Sequence, residues 1–276
     1  MAIKQFQEFA GDRLLRQIDR KTVRDWISWL RRERGQSEAT IRRRLGALSA
    51  IFRNSVEMED VSLVNPFSRH RSPRAEEGYR LPFARSHLEK IDHWLESAGQ
   101  GPTGQIIRLL RATGARPLEI GGLMASEIRL DAPIPFLLIQ PNVLRRLKTA
   151  SSQRLLPLVG DGLAVSREIL TKTGEGAIFP ERCSDTTALS ARLNKALSKA
   201  GIPRTGRLTA YSFRHTLEEA LRITDAPFDV QQAILGHAKR TITERYGARN
   251  VSLQRMRTAI ESAGLALGDV DPSNYE

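Results

Sequence analysis

Residues 235–246 read LGHAKRTITERY and place His237 nine residues before Tyr246. Three other parts of the chain hold polar groups of the same kind: residues 113–119 (TGARPLE), Lys148, and residues 211–215 (YSFRH). A purely structural helical domain has no need of these groups. They are therefore the candidates for a functional site, and they also say most about the fold.

The residue types in these stretches suit phosphoryl transfer. Arg116 and Arg214 have planar guanidinium groups that can bind the non-bridging oxygens of one phosphate, where negative charge builds up. The hydroxyl of Tyr246 can act as a covalent nucleophile once nearby cations lower its pKa. The sequence shows neither a carboxylate pair suited to glycoside hydrolysis nor a glycine-rich phosphate loop, which argues against a glycosidase and against a nucleotide-driven enzyme.

Length and charge narrow the class of protein. A chain of 276 residues exceeds the about 100 to 200 residues of one typical domain, so we expect two domains. The 43 Lys and Arg residues against 31 Asp and Glu give a formal charge of +12, which favours a polyanion such as nucleic acid. Because only 6% of the residues are aromatic, binding to a duplex backbone fits better than repeated base stacking. A charge that merely keeps the protein soluble is the alternative.

Cysteine usage and hydropathy disfavour further classes. The single cysteine, Cys183, cannot form an intrachain disulfide, and no cluster of Cys and His has the spacing of a metal site. No apolar run approaches the ~20 residues that span a bilayer, and residues 1–10 lack the apolar core of a secretion signal. We therefore expect a cytoplasmic protein without a structural metal and without a membrane partner.

The first 80 residues carry 17 Lys and Arg against 11 Asp and Glu, a denser positive charge than the rest of the chain. Two amphipathic helices are predicted there, the first capped by Asp19 and the second by Ser37. The apolar positions at helical spacing are Val23, Ile27 and Leu30 in the first helix and Ile41, Leu45, Leu48, Phe52 and Val56 in the second.

Arg42, Arg43 and Arg44 lie on the second of these helices. Three consecutive residues span about 200° of a helix surface, so the three side chains cannot all point into one DNA groove. One or two of them are candidates for binding phosphates. A solvated basic face is the alternative.

A basic linker and a mixed second domain follow. Between residues 65 and 83 the helical periodicity stops, and prolines and a glycine interrupt a stretch rich in Arg and Ser. Ser86 and Glu89 have the spacing of a capping box and are expected to open the second domain. A small antiparallel sheet is predicted from strands at residues 136–140, 143–148 and 154–158. Helices are predicted at residues 187–200, 213–223, 230–235 and 253–267.

The order and spacing of the polar stretches resemble the tyrosine recombinases, the site-specific DNA recombinases that include phage integrases, over nearly the whole chain. Residues 113–119 resemble the first arginine box of that family, residues 213–216 (FRHT) the second, and residues 235–246 the histidine and nucleophile box. Residues 147–149 (LKT) followed by 154–158 (RLLPL) resemble the hairpin that carries the catalytic lysine. Residues 36–41 and 65–67 are similar to the helical core-binding domain.

The resemblance implies a fold that is mainly α with a small antiparallel β-sheet (α+β). A helical, SAM-like core-binding domain would cover residues 1–66, a linker residues 67–83, the catalytic domain residues 84–268, and a tail residues 269–276. The two domains would hold duplex DNA between them. Many phage integrases carry an additional amino-terminal module for distant arm sites, and this chain starts almost directly at the core-binding helices, so regulation by arm sites is not expected.

The resemblance also implies a role for each site residue. Tyr246 would attack a DNA phosphodiester and hold the 3′ phosphate while the 5′ hydroxyl leaves, and the 5′ end of a partner strand would reverse the step. The phosphate oxygens would bind Arg116, Arg214 and His237, and Lys148 would protonate the leaving oxygen. Because the phosphotyrosyl bond keeps the energy of the broken linkage, no ATP, metal or other cofactor is needed. The implied partners are double-stranded DNA and three further copies of the chain, in a homotetramer on DNA.

One position departs from the family pattern. The family usually has a histidine or lysine three residues before the second arginine, and this chain has Tyr211 there. A phenol can donate a hydrogen bond to phosphate but carries no positive charge at neutral pH; packing alone is the other interpretation. Glu119 is expected to support Arg116, and His215 is either an accessory residue near the phosphate or a hydrogen-bonded structural histidine.

Alternatives remain for the last helix and for the activity. The apolar face at residues 253–267 either docks onto a neighbouring protomer, as in similar recombinases, or packs on its own domain. A DNA-binding regulator that has lost catalysis is a second functional hypothesis, although the intact set of polar residues argues against it. A relaxing enzyme of the type IB topoisomerase kind is a third, since it shares the tyrosine and cation chemistry.

Overall fold

The computed structural model describes residues 2–70, 80–147, 152–180, 186–204, 207–237 and 251–275. The chain forms two compact units, residues 1–79 and 80–276. Each unit has its own hydrophobic core.

The described part of the N-terminal unit contains three α-helices: α1 (Ala2–Ala10), α2 (Arg20–Arg32) and α3 (Glu38–Met58). Both predicted caps are confirmed, because the side chains of Asp19 and Ser37 accept the backbone N–H groups of Thr22 and Thr40. The predicted apolar positions are buried, apart from Val56, which is partly buried at the edge of the core. Aromatic edges close this core, with Phe6 5.3 Å from Trp26 and 5.2 Å from Phe67 between ring centroids.

The C-terminal unit is mainly helical within its described residues. Its helices are α4 (Arg85–Ser97), α5 (Pro102–Thr113), α6 (Pro117–Gly121), α7 (Gly160–Lys172), α8 (Thr186–Lys199), α9 (Ser212–Ile223), α10 (Phe228–Leu235) and α11 (Leu253–Ala266). Helix α5 is the central one, and its residues Ile106, Ile107, Leu109 and Leu110 are fully buried. The predicted helices 187–200, 213–223, 230–235 and 253–267 are confirmed to within two residues at each end.

A three-stranded antiparallel sheet lies beside these helices, in the order β1 (Ile128–Arg129), β2 (Phe136–Ile139) and β3 (Arg154–Pro157). In the register of β2 and β3, Leu137 faces Leu156, and both side chains are fully buried. The expected fold class, mainly α with a small antiparallel sheet, is therefore confirmed.

The predicted strand at residues 143–148 is wrong over its described part. Residues 142–145 form a turn in which Asn142 and Arg145 make an isolated bridge, and the Asn142 side chain accepts the backbone N–H of Leu144 at 2.9 Å. The guanidinium of Arg145 is buried and ion-paired with Glu127 at 2.8 Å. The turn forms because this inward arginine needs polar partners, which a continuous strand in a mostly apolar sheet would not supply.

The predicted capping box of Ser86 and Glu89 is also wrong. Helix α4 begins at Arg85, and the imidazole Nδ1 of His87 accepts the backbone N–H of Ala84 at 3.2 Å. Partial burial lowers the pKa of His87, which favours the neutral ring that such an acceptor requires. A histidine thus performs the capping that the sequence pattern assigned to Glu89.

The apolar face of helix α11 packs within its own unit. Met256, Ile260 and Ala263 are buried in the core of the C-terminal unit, whereas Leu265 on the opposite face is 90% exposed. Of the two alternatives for this helix, the structure therefore shows packing on its own domain.

Candidate active site

Arg116 is positioned by the turn between α5 and α6. Helix α5 ends at Gly114, whose φ of +59° is left-handed, and a Cβ there would lie 2.7 Å from the side chain of Leu217. The turn therefore requires glycine, both for its left-handed backbone and for its close contact with Leu217. Pro117 then starts α6, with Arg116 as its N-cap residue. The Arg116 side chain is 20% exposed, so one edge of it can reach a ligand.

Glu119 lies at the centre of an arginine network. Its carboxylate accepts the backbone N–H of Arg116 at 2.8 Å and the Nη1 of Arg116 at 2.7 Å. The guanidinium of Arg154 donates to the same two oxygens at 3.1 and 2.9 Å. Burial alone would raise the pKa of Glu119, but the bonds and charges of Arg154 and Arg116 outweigh it and lower the pKa to about 2. Glu119 is thus a buried, ionised carboxylate that orients two guanidinium groups.

Arg214 lies in the first turn of α9 and is only 2% exposed. It donates Nη1 to the carbonyl of Gly114 at 3.1 Å and Nη2 to the carbonyl of Leu235. Burial and then the charge of Arg116 lower the pKa of Arg214 to about 10, so it stays protonated at neutral pH. Arg214 is bonded to Gly114, two residues before Arg116, and the charge of Arg116 acts on it, so the two cations lie in one site.

Tyr211 precedes α9 and faces the same site. The guanidinium carbon of Arg80 lies 4.8 Å from the centroid of its ring, and the ring of His215 lies 5.4 Å away. Although burial would lower the pKa of Arg116, the hydrogen bond and charge of Glu119, with further contributions from Tyr211, raise it. Tyr211 is therefore next to Arg116 as well as packed between neighbouring rings and charges.

His237 follows the left-handed Gly236 at the end of α10, and the backbone N–H groups of both residues donate to the carbonyl of Gln232. The residue lies at the surface at this end of the helix, and part of its side chain is covered. Partial burial and the charge of Arg214 lower the pKa of His237, which favours the neutral imidazole. Partial burial likewise lowers the pKa of His215, whose Nδ1 lies 3.8 Å from a carboxylate oxygen of Glu218.

Six of the predicted catalytic and supporting residues lie within the described part of the chain: Arg116, Glu119, Tyr211, Arg214, His215 and His237. Lys148 and Tyr246 lie outside the described residues. The described part of the site is thus a cationic centre, formed by two fixed guanidinium groups with a neutral imidazole and a phenol beside them. This arrangement suits an anion with several oxygens.

Two arginines that the sequence analysis did not select support this centre. Arg154 on β3 is 6% exposed and joins Glu119 to the carbonyl of Ile234. Arg145, which is fully buried, donates to the backbone carbonyl of Glu119 at 2.5 Å and pairs with Glu127. The sequence signal was an arginine at the start of the otherwise apolar stretch RLLPL and another in the predicted strand before Lys148.

The N-terminal arginines differ from one another in burial. Arg42 and Arg43 are exposed on α3, whereas Arg44 is half-buried. One guanidinium nitrogen of Arg44 is buried without a hydrogen-bond partner among the described residues, and burial together with the charge of Arg43 lowers its pKa. The three side chains thus do not share one environment, as the geometry of consecutive helical residues requires.

In the part of the chain that the structure describes, no three His, Cys, Asp or Glu side chains are grouped so that they could hold a metal ion. Within the same ranges, no helix is both long and apolar enough to cross a membrane.

Comparison with known proteins gives two family matches. The profile of the Phage integrase family matches residues 84–252, and the profile of the Phage integrase, N-terminal SAM-like domain matches residues 1–57. The tyrosine recombinase XerD of Halalkalibacterium halodurans is 26% identical over 261 residues, which cover 89% of this chain and 81% of that protein. The tyrosine recombinase XerC of Pelobacter propionicus is 25% identical over 237 residues, which cover 80% of this chain and 72% of that protein.

Solved structures share the fold at low sequence identity. The Tn1549 transposon integrase in complex with transposon right end DNA superimposes with a TM-score of 0.68 at 16% identity, covering 94% of this chain and 90% of that one. A lambda integrase dimer bound to a COC′ core site gives a TM-score of 0.64 at 18% identity, covering 90% of this chain and 69% of that one.

Proposed function

The chain belongs to the phage integrase family and is a site-specific recombinase, and from that premise we propose which of its residues cleave and rejoin DNA. The observation that carries the proposal is the pair of guanidinium groups, Arg116 and Arg214, fixed in one site by Glu119 and by backbone carbonyls. Fixed cations stabilise charge that develops on a phosphate without reorganising during the reaction.

In the proposed cleavage step, the hydroxyl oxygen of Tyr246 bonds to the phosphorus of a DNA phosphodiester and the bond from phosphorus to the 5′ oxygen breaks. Lys148 gives a proton to that 5′ oxygen. Arg116 and Arg214 bind the non-bridging oxygens. The lowered pKa of His237 favours the neutral ring, in which one nitrogen can donate to the phosphate while the other accepts the phenol proton. The reverse step with another 5′ hydroxyl rejoins the DNA and needs neither a metal nor a cofactor.

We assign supporting roles to the neighbouring residues. Glu119 orients Arg116 through the ion pair and the backbone bond described above. We propose that the Tyr211 hydroxyl donates to the same phosphate, because Tyr211 is close enough to Arg116 to contribute to its pKa. His215 packs against the Tyr211 ring and is an accessory residue of the site.

The partner that we propose is double-stranded DNA, on which the N-terminal domain, residues 1–66, supplies phosphate contacts from one or two of the candidates Arg42, Arg43 and Arg44. The formal charge of +12 supports this proposal. The catalytic domain then covers residues 84–268, with residues 67–83 as the linker. Recombination of two duplexes requires four cleavages, so we propose a homotetramer on DNA, associated with the nucleoid in the cytoplasm.

A covalent adduct tests the proposal. A target duplex is first selected from a random-sequence pool by trapping it on the wild-type protein, and is then nicked next to the cleaved phosphate so that the released end diffuses away. We expect a protein–DNA adduct from the wild type, none from Tyr246→Phe, and a wild-type amount from the matched control Tyr275→Phe. An adduct that persists in Tyr246→Phe would contradict the nucleophile. Relaxation of supercoiled DNA without strand exchange would instead favour a type IB topoisomerase.

A further inference from the structure

We propose that Arg154 is a positioning residue for DNA cleavage, which holds Arg116 and His237 in fixed places by binding Glu119 on one side and the end of α10 on the other. This inference rests on the proposed function, because it assigns Arg154 a task in the same site. Arg154 has no place in the chemistry outlined above.

On one side, Arg154 forms a two-pronged ion pair with Glu119. Its Nη1 and Nη2 donate to the two carboxylate oxygens at 3.1 and 2.9 Å, and Glu119 in turn binds both the side chain and the backbone of Arg116. The ion pair is nearly dry, with 6% and 4% of the two side chains exposed. Displacing Arg154 would therefore remove bonds that hold the Glu119 carboxylate, and Glu119 in turn holds Arg116.

On the other side, Arg154 binds the last turn of α10. Its Nε donates to the carbonyl of Ile234 at 2.7 Å, at the negative end of the helix dipole. The guanidinium also lies against Gly236, where an added Cβ would come within 2.9 Å of Nη1 and 3.1 Å of Cδ. Gly236 immediately precedes His237, so the glycine lets the arginine touch the backbone that carries the imidazole.

The bonds of Arg154 leave little capacity for a phosphate. A guanidinium has five N–H groups, and Arg154 donates four hydrogen bonds: two to Glu119, one to the carbonyl of Ile234 and one to the carbonyl of Ser152. A group that is buried and already bonded in this way acts through its neighbours. It links β3, α6 and α10, three elements that are distant in sequence.

The first test compares cleavage with binding on the selected nicked duplex. We expect Arg154→Met to slow adduct formation by about 10²-fold, the typical effect of misplacing catalytic groups by about 1 Å, and to change the DNA affinity by less than about twofold. Arg154→Lys should recover part of the rate, because an ammonium can bind Glu119 but cannot also reach Ile234 as a fork does. The matched control Arg108→Met removes an arginine that is likewise bonded to two acceptor groups, Asp161 and Glu168, and should cleave at the wild-type rate.

A second readout needs no DNA. The five histidines of the chain can be followed by NMR with labelled histidine, and His237 assigned with His237→Asn. Among the described residues, the charged groups that act on His237 are Arg214, Glu218, Arg116 and Arg154. Those that act on His215 are Glu218, Arg214, Arg80 and Arg222. Arg154→Met should therefore raise the pKa of His237 and leave that of His215 unchanged.

The outcomes separate this inference from the proposed function. A wild-type cleavage rate in Arg154→Met, a loss of DNA affinity equal to the loss of rate, or an unchanged titration of His237 would each overturn the positioning role. If Arg154→Met does not fold, a fully active Arg154→Lys would overturn it as well. If the wild type forms no adduct, the proposed function fails. The titration of His237 then still tests whether Arg154 connects Glu119 to the end of α10.

Discussion

Two sets of arginines, one in each unit, differ in how deeply they are buried. In the C-terminal unit, the side chains of Arg116, Arg154 and Arg214 are mostly buried, and each is bonded to Glu119 or to backbone carbonyls. In the N-terminal unit, Arg42 and Arg43 are exposed on α3. A reaction on one phosphate needs charges in fixed places, whereas attraction to a duplex needs only a high density of charge on the surface.

The buried guanidinium groups of the C-terminal unit repel one another, and neighbouring negative groups offset this repulsion. Burial and mutual repulsion lower the pKa of Arg214, which shows that the site disfavours a second guanidinium. The buried carboxylate of Glu119 and the carbonyls of Gly114 and Leu235 supply the compensating negative charge and dipoles. An anionic phosphate placed between the arginines would relieve the remaining repulsion, so the site favours such a ligand.

The largest effect in this comparison is expected from Glu119→Gln. The variant leaves Arg116 and Arg154 without a charged partner in a buried place, and we expect the free energy of unfolding to fall by about 3–5 kcal/mol at pH 7. Urea denaturation measures this loss. The control Glu89→Gln removes an exposed carboxylate from α4 and should change the stability by less than about 0.5 kcal/mol.

The same variant has a definite pH signature. The pKa of Glu119 is lowered from its ordinary 4.5 to about 2, so its ionisation stabilises the fold fully above pH 4.5 and this contribution is lost as the pH falls towards 2. For the wild type the loss amounts to about 3 kcal/mol from this one group. In Glu119→Gln that part of the pH dependence should disappear, and an unchanged acid transition would show that the ion pairs do not stabilise the fold.

Local patterns in the sequence predicted much of the fold. The caps Asp19 and Ser37 and the buried faces of α2 and α3 depend on residues three or four positions apart, and the structure has them as predicted. The errors arose where distant residues decide the local conformation. The strand predicted at residues 143–148 fails because Arg145 turns inward to Glu127, eighteen residues earlier in the chain.

The candidate site shows the same division. The motifs selected Arg116, Arg214 and His237, because their residue types and spacing are visible in the sequence. The partners of Arg154 are not visible there, since Glu119 precedes it by 35 residues and Ile234 follows it by 80. Which arginine meets which carboxylate or carbonyl is decided by the packing of α6, β3 and α10, and only the folded structure shows it.

A smaller effect is expected from Gly236→Ala, which tests how tightly the fixed region is packed. The left-handed φ of +62° disfavours alanine by about 1 kcal/mol, and the new Cβ would come within 2.9 Å of Arg154. We expect a loss of about 2 kcal/mol in the free energy of unfolding and slower cleavage. The matched control is Gly160→Ala, where φ is +46° and no atom lies within 4 Å of the added Cβ. Equal losses of stability in the two variants would show that the Arg154 side chain moves away from the new Cβ without destabilising the fold.

The smallest effect on stability and cleavage is expected from Arg43→Ala, which changes an exposed arginine on α3. Nothing buried changes there, so the stability should stay within about 0.5 kcal/mol of the wild type, and cleavage at saturating DNA should be unaffected. If Arg43 contacts a DNA phosphate, the slope of the logarithm of the DNA-binding constant against the logarithm of the salt concentration becomes less steep by about 0.9. One fewer phosphate is then neutralised and fewer counterions are released on binding. Arg53→Ala, which removes another exposed arginine from the same helix, is the matched control. A change of slope in Arg43→Ala alone indicates a phosphate contact, whereas the same small change in both variants indicates a solvated basic face that acts only through its charge.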